Sequence, residues 1–272
     1  MALTRRQLDE LYERWNRPEF IPPDPLEVLA AYPDPADREV AGLVAAALAY
    51  GRVNAILPSL RAVLGVLGSA PRDFVLRLDE DRMAAALDGL GHRFARPAHL
   101  AALLAGIGGT LRRRGSLEAA FLRGYRSPSV DSRGRPLPAA QAGLVTLAED
   151  LRAGVRGDPG HLLADPSRGS ACKRHHLYLR WMVRRDAVDP GGWEGVDPAE
   201  LLPPLDTWTH RIALRAGWTA RRGADFRTVL DVAAALKDVN PVDPVKYDFA
   251  LSRFGIRGGL DLDQLFGPSE VA

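Results

Sequence analysis

Apolar residues in this chain recur at intervals of three and four along most of its length, and no stretch shows the strict alternation of a half-buried strand. That periodicity predicts helices over residues 5–16, 36–50, 54–68, 79–90, 98–113, 116–122, 139–155, 173–185, 207–216, 225–239 and 245–254. Proline punctuates them. Pro22, Pro23 and Pro25 stop the first, and Asp34-Pro35 opens the second with a capping side chain and a ring already at helical φ. The implied class is all-α. At 272 residues the chain can hold two helical lobes with a cleft between them. Lobe A is expected over about residues 36–155; lobe B is expected over 156–272, with the segment 1–35 packed beside it. Polar, proline-containing connections fall at 127–138 and 186–204.

Composition narrows the function classes. The net charge is +2 and the isoelectric point about 8.8, which permits nucleic-acid binding through a local patch without demanding it. A single cysteine, Cys172, rules out a disulfide framework, a cysteine-rich zinc site and a four-cysteine iron–sulfur cluster. The six histidines have no ligand-like spacing, so neither a metal nor another cofactor is expected. The first residues are charged rather than apolar, and the runs 41–48 and 98–111 are shorter than the roughly 20 residues of a membrane span. A monomeric cytoplasmic protein without a membrane partner is the expectation.

Of 36 basic residues only Lys173, Lys237 and Lys246 are lysines. Arginine cannot shed its proton to become an amine nucleophile, so each lysine is a candidate for chemistry. Lys173 stands out by its surroundings. It follows Arg168-Gly169-Ser170-Ala171-Cys172 and opens a predicted helix, and Pro204-Leu205-Asp206-Thr207-Trp208-Thr209-His210-Arg211 follows it.

These two segments resemble the helix-hairpin-helix superfamily of DNA glycosylases, which carries a lysine just after a glycine-bearing hairpin and an aspartate in a VDT-H-x-x-R segment opening a later helix. The hairpin here departs from the leucine-proline-glycine-variable-glycine pattern, with Arg168 and Ala171 at the proline and second-glycine places, and Asp206 follows Lys173 by 33 positions. Both features are similar to the archaeal 8-oxoguanine DNA glycosylases. The chain looks closer still to an uncharacterised bacterial family sharing the Arg180-Trp181-Met182-Val183-Arg184 helix and the Asp243–Leu251 ending.

The resemblance implies double-stranded DNA with a damaged base, such as 8-oxoguanine, as partner, with Lys173 as nucleophile and Asp206 as catalytic carboxylate. An N-glycosidic bond breaks through an oxocarbenium-like sugar that a carboxylate stabilises, and an amine attacking C1′ yields a Schiff base that permits β-elimination. Such a lysine needs a cleft or positive neighbours to favour its neutral form, and Arg174, His175 and His176 are expected to supply that field. Asp206 is expected to cap its helix and to stand about 4 to 8 Å from Lys173, leaving room for one sugar, whereas contact distance would make a plain ion pair that ties up the nucleophile. The flipped base is expected against Tyr50, Arg52, Asn54, Trp208, Asp248 and Ser252, with Asp248 reading N–H donors. Phosphate contacts are expected at Arg168, Gly169, Ser170, Ala171 and Arg174.

Taken singly, a lysine at a helix start is ordinarily a solvated charge, Asp-Thr before a helix is ordinarily a cap, and Asp248 ordinarily pairs with an arginine such as Arg253. Order and spacing together favour catalysis. Two other readings stay open: a DNA-binding module without catalysis, and a monofunctional glycosylase in which Asp206 activates water and Lys173 only contributes charge.

Overall fold

In the computed structural model, residues 3–131, 134–256 and 262–266 are described, and they form thirteen α-helices and no β-sheet. Local chemistry marks where many of them start. The first, α1 (Arg5–Trp15), begins with a capping box: the Thr4 hydroxyl accepts from the Gln7 amide while the Gln7 side chain accepts from Thr4. In α2 (Pro35–Leu48) the Asp34 carboxylate accepts from the Ala36 amide at 2.8 Å. Every residue of α2 from Glu39 to Leu48 is buried, as expected of a helix apolar on all sides.

On α2 pack α3 (Val53–Leu67) and α4 (Pro71–Arg77), and α6 (Pro97–Arg114) gathers α4, α5 (Glu80–Ala86), α7 (Leu117–Tyr125) and α8 (Ala139–Arg152). Their apolar faces form one core with Tyr178, Trp181 and Met182 of α9 (Lys173–Val183). The smaller second core joins α1 to α10 (Thr207–Ala216), α11 (Phe226–Val239), α12 (Asp248–Ile256) and α13 (Leu262–Phe266) through Leu8, Ile212, Val229, Tyr247, Leu251 and Leu265.

The N-terminal segment, expected wholly beside lobe B, divides. Its α1 packs on α12, but Leu26, Leu29 and Tyr32, in and just after a 3-10 turn at Pro25–Ala31, belong to the first core. The helix α9 also joins the first core, although its N-terminal neighbour Ala171 belongs to the second. It is therefore the element both lobes share, and its N-terminus opens where they meet.

Two short helices, α4 and α13, seven and five residues long, have no counterpart in the periodicity. Among the described residues no single helix is long and apolar enough to cross a membrane; α3 and α4 meet that length and composition only as a pair bent by 62°.

Candidate functional site

A cleft of about 980 Å³ lies where the lobes meet. One wall is the connection from α2 into α3, residues Tyr50 to Asn54; the other carries Asp206, Trp208, Asp248 and Ser252. The hairpin segment Ser170 to Arg174 closes the end.

Backbone geometry builds that end. A 3-10 turn, Pro166–Arg168, runs into Gly169 at φ +76°, a left-handed conformation that suits a residue without Cβ. The Gly169 carbonyl accepts from the Phe226 amide at 3.0 Å, tying the hairpin to the start of α11. Cys172 then takes φ +42° and supplies no side-chain cap to α9. A helix start leaves its first amides without intrahelical partners, so this uncapped end presents donors and positive dipole at the cleft. Ser170 and Ala171 line the cleft with it, while Arg168 and Gly169 lie exposed outside the lining, Arg168 beside Asp165 at 3.2 Å.

Lys173 and Asp206 face each other across this space. The Asp206 carboxylate divides its work: Oδ1 accepts from the amides of Trp208 (2.9 Å) and Thr209 (2.8 Å), capping α10, while Oδ2 lies 3.8 Å from Lys173 Nζ. The separation is shorter than the 4 to 8 Å expected and is that of an ion pair. The cap sets it, because two amide bonds to Oδ1 turn the second oxygen outward toward the lysine. At 3.8 Å the contact is electrostatic, with no hydrogen bond between the side chains, and both remain partly open, 37% and 27% exposed.

The positive field expected around Lys173 is smaller than the sequence suggests. Burial pushes the His175 imidazole down to about 3 and that of His176 to about 4, so neither carries charge near neutrality. Arg174 is charged but faces inward, giving one amino group to the Ala47 carbonyl and the other to the His161 carbonyl, with its guanidinium 5.2 Å from the Tyr50 ring centre. It braces the wall instead of serving as a free phosphate clamp.

Among the residues expected to meet a base, Arg52 and Asn54 are exposed at the cleft and Tyr50 is partly buried. The Tyr50 hydroxyl donates to the His92 carbonyl at 2.6 Å and lies 2.8 Å from the His161 ring. Trp208 packs against Gly255, where a Cβ would come within 2.2 Å of the indole, and Arg211 lies 5.1 Å from the ring centre. Ser252 donates to the Phe249 carbonyl within its own helix.

Asp248 is buried at the cleft wall, and its partner is Arg180 (2.5 Å), not the neighbouring Arg253, which bonds Asp24 and the Phe20 carbonyl. Burial pushes the Asp248 carboxyl up to about 6, against the pull of Arg180 and with a push from Asp206 and Asp189. Arg180 is shared, since its Nε donates to Asp189 at 3.0 Å. Arg184 extends the network to Asp189, Asp186 and Asp243, and Asp186 accepts from the Tyr12 hydroxyl of α1.

Sequence reasoning missed Arg180, Asp24 and Gly255 as cleft-lining residues. Arg180 had a readable signal, since it stands two turns after Lys173 on one helix. The partners of Asp24 and Gly255 are too distant in sequence to signal them. Among the described residues no group of histidine, cysteine and acidic side chains is arranged to hold a metal ion.

A family model described as "Protein of unknown function (DUF2400)" matches residues 24–257. No curated protein and no solved structure matches the chain.

Proposed function

We propose that this chain, which belongs to the DUF2400 family, is a DNA glycosylase that removes an oxidised purine through a Schiff base on Lys173. The observation carrying this reading is the pair itself. Among the described residues, an amine and a carboxylate oxygen with no other hydrogen bond face each other at 3.8 Å, in a cleft large enough for an extruded nucleoside and beside an uncapped helix start suited to phosphate.

The residues have separable tasks. Once its proton has been given up to solvent, the Lys173 amine attacks C1′ as the bond from C1′ to the base nitrogen breaks and its electron pair leaves with the base, which takes up a proton. Asp206 Oδ2 stabilises the positive charge developing on the sugar. Loss of a proton from the nitrogen and opening of the sugar ring give the iminium. Removal of a C2′ proton then expels the 3′ phosphate. The two cap bonds hold the Asp206 carboxylate against rotation during these steps.

Borohydride trapping on a panel of single-lesion duplexes tests this. Wild-type protein is expected to form a covalent adduct on at least one oxidised-purine duplex, and Lys173→Gln none. Base release without an adduct would transfer the chemistry to water activated by Asp206. Binding without release would leave a DNA-binding module.

A further inference from the structure

The cleft has a second feature on its rim that the excision chemistry does not use. Residues His92 to Ala95 form a two-residue hairpin turn: each of those two residues donates its amide to the other's carbonyl, at 3.1 and 2.8 Å. Arg93 and Phe94 occupy the tip. Arg93 adopts φ +53°, an uncommon conformation for a residue with a Cβ. Phe94 is 71% exposed, unusual for a ring in a molecule with two well-formed cores.

The turn is anchored to the cleft at several points. His92 is buried, its Nε2 lies 2.8 Å from the Tyr50 carbonyl, and its own carbonyl accepts from the Tyr50 hydroxyl. The Arg93 side chain lies directly over Gly51, where a Cβ would meet Nη1 at 2.5 Å. The Phe94 ring stands edge-on to His161 at 6.4 Å between centres, and His161 contacts Tyr50 in turn. Tyr50 and Gly51 both line the cleft. Among the described residues Arg93 makes no hydrogen bond or ion pair, and its guanidinium lies 5.6 Å from the Phe94 ring centre.

We propose that the Arg93-Phe94 tip is a wedge for double-stranded DNA: Phe94 enters the base stack beside the nucleotide drawn into the cleft, and Arg93 pairs with an adjacent phosphate. A rigid turn presenting one bare aromatic ring beside one unpaired cation matches a nucleic acid's alternation of stacking faces and phosphates. A nucleotide leaving the duplex leaves a gap of one base thickness, and an aromatic ring held at the mouth of the receiving cleft fills it. The anchoring through His92 and Tyr50 keeps tip and cleft in register, so insertion and extrusion occur at the same step of the duplex. This inference rests on the glycosylase reading for the identity of the extruded nucleotide.

The test uses a duplex carrying a tetrahydrofuran abasic analogue with 2-aminopurine beside it, which has no base to excise and so reads insertion independently of Lys173. Wild-type protein is expected to change the 2-aminopurine fluorescence on binding. Phe94→Ala is expected to abolish that change and weaken binding by about 10-fold, whereas Phe94→Trp retains both. Arg93→Gln is expected to weaken binding and lower the salt dependence by about one counterion. Unchanged thermal midpoints by circular dichroism will separate these effects from misfolding, since the ring is exposed. A Phe94→Ala protein with the wild-type fluorescence change, or a wild-type protein that binds without changing it, overturns the wedge. If the wild type traps a lesion and Phe94→Ala behaves normally, the wedge alone is wrong. If the fluorescence responds but no lesion is ever trapped, the wedge stands and excision through Lys173 is wrong.

Discussion

Two pairings of a cation with an aspartate face the same cleft from positions two turns apart on α9, and they are built differently. Arg180 and Asp248 are both buried, bonded at 2.5 Å, and joined to Asp189 and Arg184 behind them. Lys173 and Asp206 are partly open to solvent, 3.8 Å apart and without a hydrogen bond between them. The first arrangement spends its charges on one another; the second leaves a lysine amine and a carboxylate oxygen available to a third party. Stability is concentrated in one and chemical opportunity in the other.

The sharpest way to break this contrast is to remove each cation. Lys173→Gln is expected to eliminate covalent trapping altogether while shifting folding stability by no more than about 1 kcal/mol, because an open ion pair is worth little. A large loss of stability in urea unfolding would mean that the pair is structural. Arg180→Met should do the reverse in the equilibrium measurement. Removing one partner of a buried pair strands a carboxylate, so a loss of about 3–5 kcal/mol is expected. A variant as stable as wild type would show that Asp248 finds another partner or water.

Asp206→Asn sharpens the comparison from the other side. Base release, followed by gel under single-turnover conditions, should slow by about 10²-fold as the charge facing the sugar disappears. Because an amide oxygen still caps α10, the stability cost should stay below about 1 kcal/mol. A rate within threefold of wild type would remove Asp206 from the chemistry.

The smallest effect is a difference in pH dependence. The Asp248 carboxyl rises from its ordinary 3.8 to about 6 on folding, chiefly through burial. The native state therefore binds this proton more readily than the unfolded chain, and the group's contribution to stability declines as pH rises from about 4 to 6. His175 and His176 act in the opposite sense: both are held below 6.5, so the unfolded chain takes up their protons first and stability falls as pH drops below 6.5. Urea unfolding across pH 4 to 7 should show Asp248→Asn gaining stability relative to wild type as pH rises. His176→Leu should flatten the acid side, since burial holds the His176 imidazole down at about 4 and, among the described residues, neither of its ring nitrogens has a hydrogen-bond partner. Parallel curves for all three proteins would contradict the burial assigned to these groups.

The candidate residues legible in sequence were those that carry the resemblance. Asp206 and Lys173 both stand at helix starts, and a start has recognisable neighbours: a glycine able to adopt positive φ before one, a run of helix-forming residues after the other. The Tyr50 to Asn54 connection came from the resemblance, which implies that the flipped base meets the segment after the first core helix. Arg180 was harder, because it sits within a helix between core residues and its partners are 9 and 68 positions away. The histidines after Lys173 misled for the complementary reason: side-chain type suggests charge, and only burial reveals that it is absent.

Helical periodicity and capping residues by themselves determined an all-α chain, because helix propensity and capping act over a few neighbouring residues, and the resemblance of two short segments pointed to Lys173 with Asp206. Tertiary structure alone decided the rest. It split the N-terminal segment between two cores, turned Arg174 inward, matched Asp248 to Arg180, packed Gly255 against Trp208 and set the Arg93-Phe94 tip beside Gly51. Each of these depends on which surfaces two lobes can bury against each other, a packing energy summed over residues far apart in the chain, and no short window of sequence contains it.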